Sequence, residues 1–217
     1  MSAAAAREGD PHQVGHGATN EATGHGEGGP ASKRIVVAYG FWIFLLSDFI
    51  MFTGFFAAYA VLAGATAGGP SGKDIFDLRN VAIETALLLA SSFTCGMAAL
   101  AAQARKHLLF QLGMAATGAL GLAFVLLEAK EFYDLVEAGH GPSRSAFLSA
   151  FFTLVGCHGL HVSIGGLWLA TMMAQVFTKG FRPDIMRRLL CFNLFWHALD
   201  IVWVAVFTVV YLLGSGL

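Results

Sequence analysis

The chain has 217 residues, of which 56% are hydrophobic and only 12% are charged. Soluble domains carry about 25% charged residues, so half of the usual charge is missing. A formal net charge of −1 provides no basic surface for nucleic acid. The composition excludes a soluble enzyme, a disordered protein and a disulfide-rich scaffold, and it indicates an integral membrane protein.

The N-terminal region, residues 1–34, differs from the rest of the chain. It is rich in Gly, Ala and His and has neither an apolar core nor helical periodicity, which predicts a flexible tail. His12, His16 and His25 are candidate metal ligands, but their irregular spacing favours a solvated tail. We therefore expect two regions, a tail over 1–34 and a membrane domain over 35–217.

Five apolar blocks follow the tail, and none shows the strict alternation of a β-barrel strand. A helix needs about 20 residues at a rise of 1.5 Å per residue to cross a bilayer, and every block is long enough. The sequence therefore predicts an all-α bundle of five transmembrane helices. Their approximate bounds are 35–62, 81–104, 108–127, 146–177 and 189–213.

The distribution of Lys and Arg predicts the orientation of this bundle. Nine basic residues fall on the side of the N-terminus and four on the opposite side. Basic residues accumulate on the cytoplasmic side, so the N-terminus is expected inside and the C-terminus outside. The nine are Arg7, Lys33, Arg34, Arg105, Lys106, Lys179, Arg182, Arg187 and Arg188; the four are Lys73, Arg79, Lys130 and Arg144.

Ionisable residues near the centres of three predicted helices are the most informative feature. An acid at a helix centre costs roughly 2.5–3.5 kcal/mol on insertion scales, so Asp48 and Asp200 should face protein or water. His158 and His161 lie three residues apart in the fourth helix, and His197 lies three residues before Asp200 in the fifth. Counting depth from the helix ends predicts one polar layer near the midplane, with hydrogen bonds between His and Asp.

A metal or haem site built from these three histidines and two aspartates is the alternative interpretation. Neutral imidazole is a common metal ligand. A pair three residues apart on one helix is weak support, however, and the chain has no Cys–His ligand set. Structural hydrogen bonding is therefore preferred, because buried polar groups usually satisfy one another.

Three glutamates are expected towards the outer side, at or below the membrane interface. Glu84 opens the second predicted helix, whereas Glu128 and Glu131 close the third. An acidic antenna for protons or cations is one interpretation. A solvated rim, partly paired with Arg79 or Lys130, is the preferred one.

Small residues predict where helices approach closely. Gly113, Thr117 and Gly121 recur every four residues along the third helix, a spacing that lets a neighbouring backbone come near. Polar residues of the second helix are expected to bond to their own backbone or to a neighbouring helix. These are Ser91, Ser92 and Thr94.

Five segments, taken together and in order, resemble subunit III of the haem–copper oxidases. The first helix, GFWIFLLSDFIMFTGFFAAYAVL, resembles the family's FW–L–SD/E–F–FFxxY pattern, and Asp48 matches its in-membrane acid. The other similar segments are ETALLLASSFTCGMAA, GLAFVLLEAKEFYDL with Glu128 and Glu131, FFTLVGCHGLHVSIGGLWL with His158 and His161, and FWHALDIVWVAVFTVVYLL with His197 and Asp200. The resemblance covers roughly residues 33–213.

The resemblance implies an accessory, non-catalytic subunit of a proton-pumping terminal oxidase in a bacterial inner membrane. It implies that this chain binds no cofactor or metal, and that haem b, haem o and copper lie in the catalytic subunit. The implied partners are subunits I, II and IV and membrane lipids, with ubiquinol bound elsewhere in the complex. The implied roles are assembly, stability and support of proton uptake.

The resemblance also points to one branch of the family. Its cytochrome c oxidase form usually has seven helices, whose first two have no counterpart here, and the loop GGPSGKDIFDL resembles the cytochrome o ubiquinol oxidase branch. Subunit III of an aa-type quinol or cytochrome c oxidase and a small protein associated with nitric oxide reductase remain alternatives. Outside the family, the alternatives are a stand-alone proton-coupled transporter and an assembly factor that leaves the finished complex.

Overall fold

The computed structural model describes residues 32–215, except for the side chain of Asp74. The expectations for the tail, including those for its three histidines, therefore fall almost entirely outside the described residues. The structure consists of helices α1 (Lys33–Leu62), α2 (Gly72–Ile75), α3 (Leu78–Gln103), α4 (His107–Glu137), α5 (Ala146–Lys179) and α6 (Pro183–Val206), followed by a π-helical segment, Phe207–Leu212.

The predicted fold class is confirmed. Five helices in the described part of the chain are long and apolar enough to cross a membrane, and residues 32–215 contain no strand. Two predicted bounds were wrong: α4 continues through Glu137 instead of ending near 127, and α6 begins at Pro183 instead of near 189. Hydropathy underestimates these helices because their charged ends contain Glu, Lys and Arg, which favour helix although they are polar.

Polar residues define the starts of three membrane helices. The side chains of Ser32, Asp77 and Ser145 accept hydrogen bonds from backbone N–H groups in the first turns of α1, α3 and α5. These bonds satisfy donors that a helix start leaves without an intrahelical partner. The helix α6 begins with Pro183 at its first position, where the missing N–H of proline has no consequence.

The first helix joins the bundle through a narrow stripe. Leu45, Phe52 and Tyr59, spaced seven residues apart, are its buried residues, and α1 packs against α5 and α6. Most of its other apolar side chains are exposed, including Trp42 and Ile50. An apolar face of this extent is suited to lipid or to a partner helix.

The small residues of α4 were predicted to allow a close helix approach, and α4 indeed packs closely against α3. These two helices share the most extensive helix contact. A Cβ atom added to Gly113 would lie 2.9 Å from the Cβ of Ala98, and one added to Gly121 would lie 2.9 Å from the Trp196 ring. Thr117 is fully buried between them and bonds to Thr94 on α3 at 2.8 Å. The small-residue line therefore brings α4 against both α3 and α6.

The end of the bundle that carries residues 63–77 and 138–145 is called the long-loop end. The π-helical segment lies here and packs against α3. The hydroxyl of Tyr59 on α1 donates to the carbonyl of Val210 in this segment at 3.2 Å. In a π-helical turn the backbone hydrogen bonds span five residues instead of four. The Val210 carbonyl of this segment accepts the bond that connects α1 to the C-terminal segment.

Replacing Gly113 by Leu is expected to destabilise the bundle by about 1–3 kcal/mol, because the new side chain overlaps Ala98. The loss should appear as a lower thermal unfolding midpoint in detergent. The matched control is Gly96→Leu on α3, where an added Cβ has no heavy atom within 4 Å. Equal destabilisation by both substitutions would contradict the proposed close approach.

Candidate functional site

The central acid of α1 faces a histidine of α5. Asp48 Oδ2 lies 3.5 Å from His161 Nε2, and each side chain is 19% exposed. His161 Nδ1 donates to the carbonyl of Cys157 at 2.7 Å, since a carbonyl can only accept. With Nδ1 protonated, Nε2 and Oδ2 would face each other as two acceptors unless one carries a proton. A hydrogen bond between the two side chains therefore needs a proton on Nε2 or on Oδ2.

The second pair, on α6, connects to α3. His197 Nδ1 lies 2.7 Å from the hydroxyl of Ser92, and Asp200, one turn further along α6, also interacts with Ser92. Asp200 Oδ1 is buried without a hydrogen-bond partner among the described residues. Ser92 is therefore the residue that joins the two ionisable side chains to a second helix.

The third histidine of the predicted polar layer, His158, is surrounded by aromatic rings. His158 is completely buried, and its ring stacks on that of Trp203 with centroids 5.1 Å apart. The ring of Phe124 is 5.8 Å away, edge-on. Neither nitrogen of His158 has a hydrogen-bond partner within the described segment.

The five residues of the predicted polar layer thus form three separate arrangements. Asp48 contacts His161, His197 and Asp200 share Ser92, and His158 stacks between rings. Among residues 32–215, no three His, Cys, Asp or Glu side chains are arranged to hold a metal ion, which gives the metal alternative no support.

The prediction that the three glutamates form a solvated rim was wrong for Glu84 and Glu128, which are buried. Glu84 is 2% exposed and Glu128 is 3% exposed. Glu128 lies inside the bundle because α4 continues past it, and its carboxyl packs against Gly159 of α5. Glu84 is a buried residue of α3, which packs against α4. Lys130 instead forms an exposed pair with Asp134, 3.8 Å apart.

A tyrosine without an expected role completes this acidic region at the long-loop end. The buried hydroxyl of Tyr211 donates to Glu131 Oε2 at 3.2 Å. Its ring packs against Phe76 and Phe151. The tyrosine hydroxyl in the apolar C-terminal segment was the signal in the sequence, because such a group usually has a partner when buried.

The sequence of this chain is similar to that of a known protein family. The sequence model of the family described as "Cytochrome c oxidase subunit III" matches residues 13–215. The chain belongs to the cytochrome c oxidase subunit III family. This membership confirms the family resemblance of the five sequence motifs and, with the five apolar helices, a multi-pass membrane protein.

Relatives of this chain are named as subunits of three kinds of oxidase. The chain is 51% identical over 208 residues to "Cytochrome bo(3) ubiquinol oxidase subunit 3" of Pseudomonas aeruginosa, covering 95% of this chain and 94% of the relative. It is 41% identical to "Quinol oxidase subunit 3" of Bacillus subtilis, covering 82% and 87%. It is also 41% identical to "Cytochrome c oxidase subunit 3" of Bacillus sp. strain PS3, covering 81% and 84%.

The motifs that identify the family meet one another in space. The C-terminal motif supplies Trp203, which stacks on His158 of the fourth-helix motif, and Tyr211, which bonds to Glu131 of the third. His197 of the same motif reaches Ser92 in the second-helix segment. In this member of the subunit III family, α6 and the π-helical segment together therefore connect the polar residues of α3, α4 and α5.

Replacing Ser92 by Ala should destabilise the bundle by about 1–3 kcal/mol, because it removes the hydrogen bond of the half-buried His197. Thermal unfolding in detergent measures the change. The control is Ser163→Ala, whose exposed hydroxyl bonds only to its own helix, at the Gly159 carbonyl. Unchanged stability for Ser92→Ala would mean that the contact with His197 contributes little.

Proposed function

We propose that this chain is the accessory, non-catalytic subunit III of a proton-pumping cytochrome o ubiquinol oxidase. The complex oxidises ubiquinol, reduces oxygen to water and translocates protons. The single observation that carries this choice of branch is the 51% identity, over nearly the full chain, to a relative named as a cytochrome bo(3) ubiquinol oxidase subunit. The relatives named as a quinol oxidase and a cytochrome c oxidase subunit are 41% identical.

In this proposal the redox chemistry belongs to a neighbouring chain. Haem b, haem o and copper are held by the catalytic subunit, and ubiquinol binds elsewhere in the complex. The membrane histidines of this chain support that division, because each already has a neighbour within the chain. His161 donates to the Cys157 carbonyl, His197 lies against the Ser92 hydroxyl, and His158 is enclosed by rings. The partners are subunits I, II and IV, and the role of this chain is to support assembly, stability and proton uptake.

The proposed location is a bacterial inner membrane, with the N-terminus in the cytoplasm and the C-terminus in the periplasm. The excess of basic residues on one side of the helices supports this orientation. Residues 1–34 then form a cytoplasmic tail, and residues 35–217 form the membrane domain. The long-loop end faces the periplasm.

Membrane lipids are also proposed as partners, through a cavity at the opposite end of the bundle. The cavity has a volume of about 310 Å³ and is lined by apolar residues that include Phe110, Met114 and Phe192. Arg34 and Arg187 also line it. An acyl chain matches the apolar lining, and the two guanidinium groups match an anionic headgroup.

The proposed function is tested by purifying the tagged chain from its native membrane in mild detergent. Haem b and haem o in the reduced-minus-oxidised spectrum, with oxygen uptake driven by ubiquinol, are the expected results. If the spectrum shows haem a and the sample oxidises reduced cytochrome c, the chain belongs to a cytochrome c oxidase of the same family and the proposed ubiquinol oxidase branch is wrong. A colourless protein without partners would contradict the proposal and favour a stand-alone transporter, which transport assays in liposomes would then address.

The pair of Asp48 and His161 is the part of this chain proposed to affect proton chemistry, indirectly. Asp48→Asn removes the ionisable carboxyl but keeps its shape and its contact with His161. We expect normal assembly, with altered sustained turnover or proton pumping. Haem content of the purified complex measures assembly, and oxygen uptake with proton release in vesicles measures turnover and pumping.

The matched control for this substitution is Asp184→Asn, an exposed acid in the first turn of α6. It should leave assembly, turnover and pumping unchanged. Lost assembly of the Asp48 variant, with normal turnover in the complexes that remain, would instead make Asp48 a structural residue.

A further inference from the structure

Three carboxyl groups, two of them almost completely buried, lie at the long-loop end, and no salt bridge to Lys or Arg reaches them from residues 32–215. Glu84 on α3 and Glu128 on α4 are almost completely buried, and Glu131 lies one turn beyond Glu128. The three interact electrostatically with one another. Three ionised carboxyls in such surroundings would repel one another and would each lose hydration, so protonation of the cluster is the less costly state.

Neighbouring basic groups do not remove this cost. Lys130 is largely exposed and its nearest acid is Asp134, also exposed, 3.8 Å away. Across residues 32–215, one oxygen of Glu84 and one of Glu128 are buried without any hydrogen-bond partner. The only hydrogen bond that reaches Glu131 from a side chain of this described part comes from the neutral hydroxyl of Tyr211.

A cavity connects this cluster to the surface. Its volume is about 490 Å³, and both Glu84 and Glu131 line it. The other polar residues of its wall include the exposed pair Lys130 and Asp134. Glu84, one of whose carboxyl oxygens is buried without a partner among the described residues, thus lines a space large enough for several water molecules, each of which occupies about 30 Å³ in the liquid.

We propose that Glu84, Glu128 and Glu131 form a proton-binding cluster that exchanges protons with water through this cavity. Carboxyls that cannot all ionise share protons, as in other buried carboxyl pairs. Gly159 makes room for the Glu128 carboxyl, since an added Cβ would lie 2.5 Å from both of its oxygens. The cluster is separate from the Asp48–His161 pair, and it extends the proposed function without depending on the oxidase branch.

Titratable and charged neighbours of the cluster come from each element around it. Asp77 lies at the start of α3, and His140 follows α4; both line the cavity. His158 on α5 is next in sequence to Gly159, which the Glu128 carboxyl contacts. The remaining neighbours are Lys130, Asp134 and Tyr211.

Infrared spectroscopy of the protein, purified with its accompanying partners, tests this proposal, because protonated and ionised carboxyls absorb in different regions. Glu84→Gln and Glu128→Gln should each remove protonated-carboxyl intensity. In the unmutated protein the same bands should shift on transfer to D₂O. The matched control, Asp134→Asn, changes an exposed acid of the same cavity and should remove only ionised-carboxylate intensity.

Two results would overturn the proposal. The first is unchanged protonated-carboxyl intensity in both glutamine variants, which would mean that these groups are ionised. The second is a band that is lost in the variants but does not shift in D₂O, which would mean that the cavity does not exchange protons. If a glutamine variant fails to assemble, the unmutated protein still tests the proposal. The absence of any protonated-carboxyl band that shifts in D₂O would overturn the proposal. No readout depends on oxidase activity.

Discussion

Polar side chains in this bundle are stabilised by partners within protein, because the hydrocarbon core of a bilayer contains no water to solvate them. The positions of the helices reflect this constraint. Asp48 on α1 faces His161 on α5, and His197 on α6 faces Ser92 on α3. Each contact joins two helices through polar side chains, and each therefore favours one pairing of helix faces over others of similar apolar area.

The last membrane helix has the largest share in these contacts. Its residues reach α3 through His197, α5 through Trp203 and, with the π-helical segment, α4 through Tyr211. The same segment accepts a hydrogen bond from Tyr59 of α1. A helix with partners on every other membrane helix acts as the centre of the bundle, which explains why it is among the most buried spans.

The distribution of ionisable groups fits a supporting role in a larger complex. A catalytic metal site needs several ligands directed at one point, whereas the polar residues described here occur in separate pairs and in one carboxyl cluster at the long-loop end. Such groups are suited to stabilising the bundle. The exposed apolar face of α1 offers a broad surface to lipid or to neighbouring subunits.

The sequence by itself determined the membrane class, the five spans and the family, because hydropathy and motifs depend on residues that are close along the chain. It also identified Asp48, the histidines and the glutamates as the unusual residues. Only the tertiary structure decided their partners. Glu128 is buried because α4 continues into its charged end and packs this carboxyl against Gly159, whereas Glu84 is buried on α3, which packs against α4. The Tyr211–Glu131 contact joins residues 80 positions apart. Contacts across such separations depend on how helices pack, which no local pattern specifies.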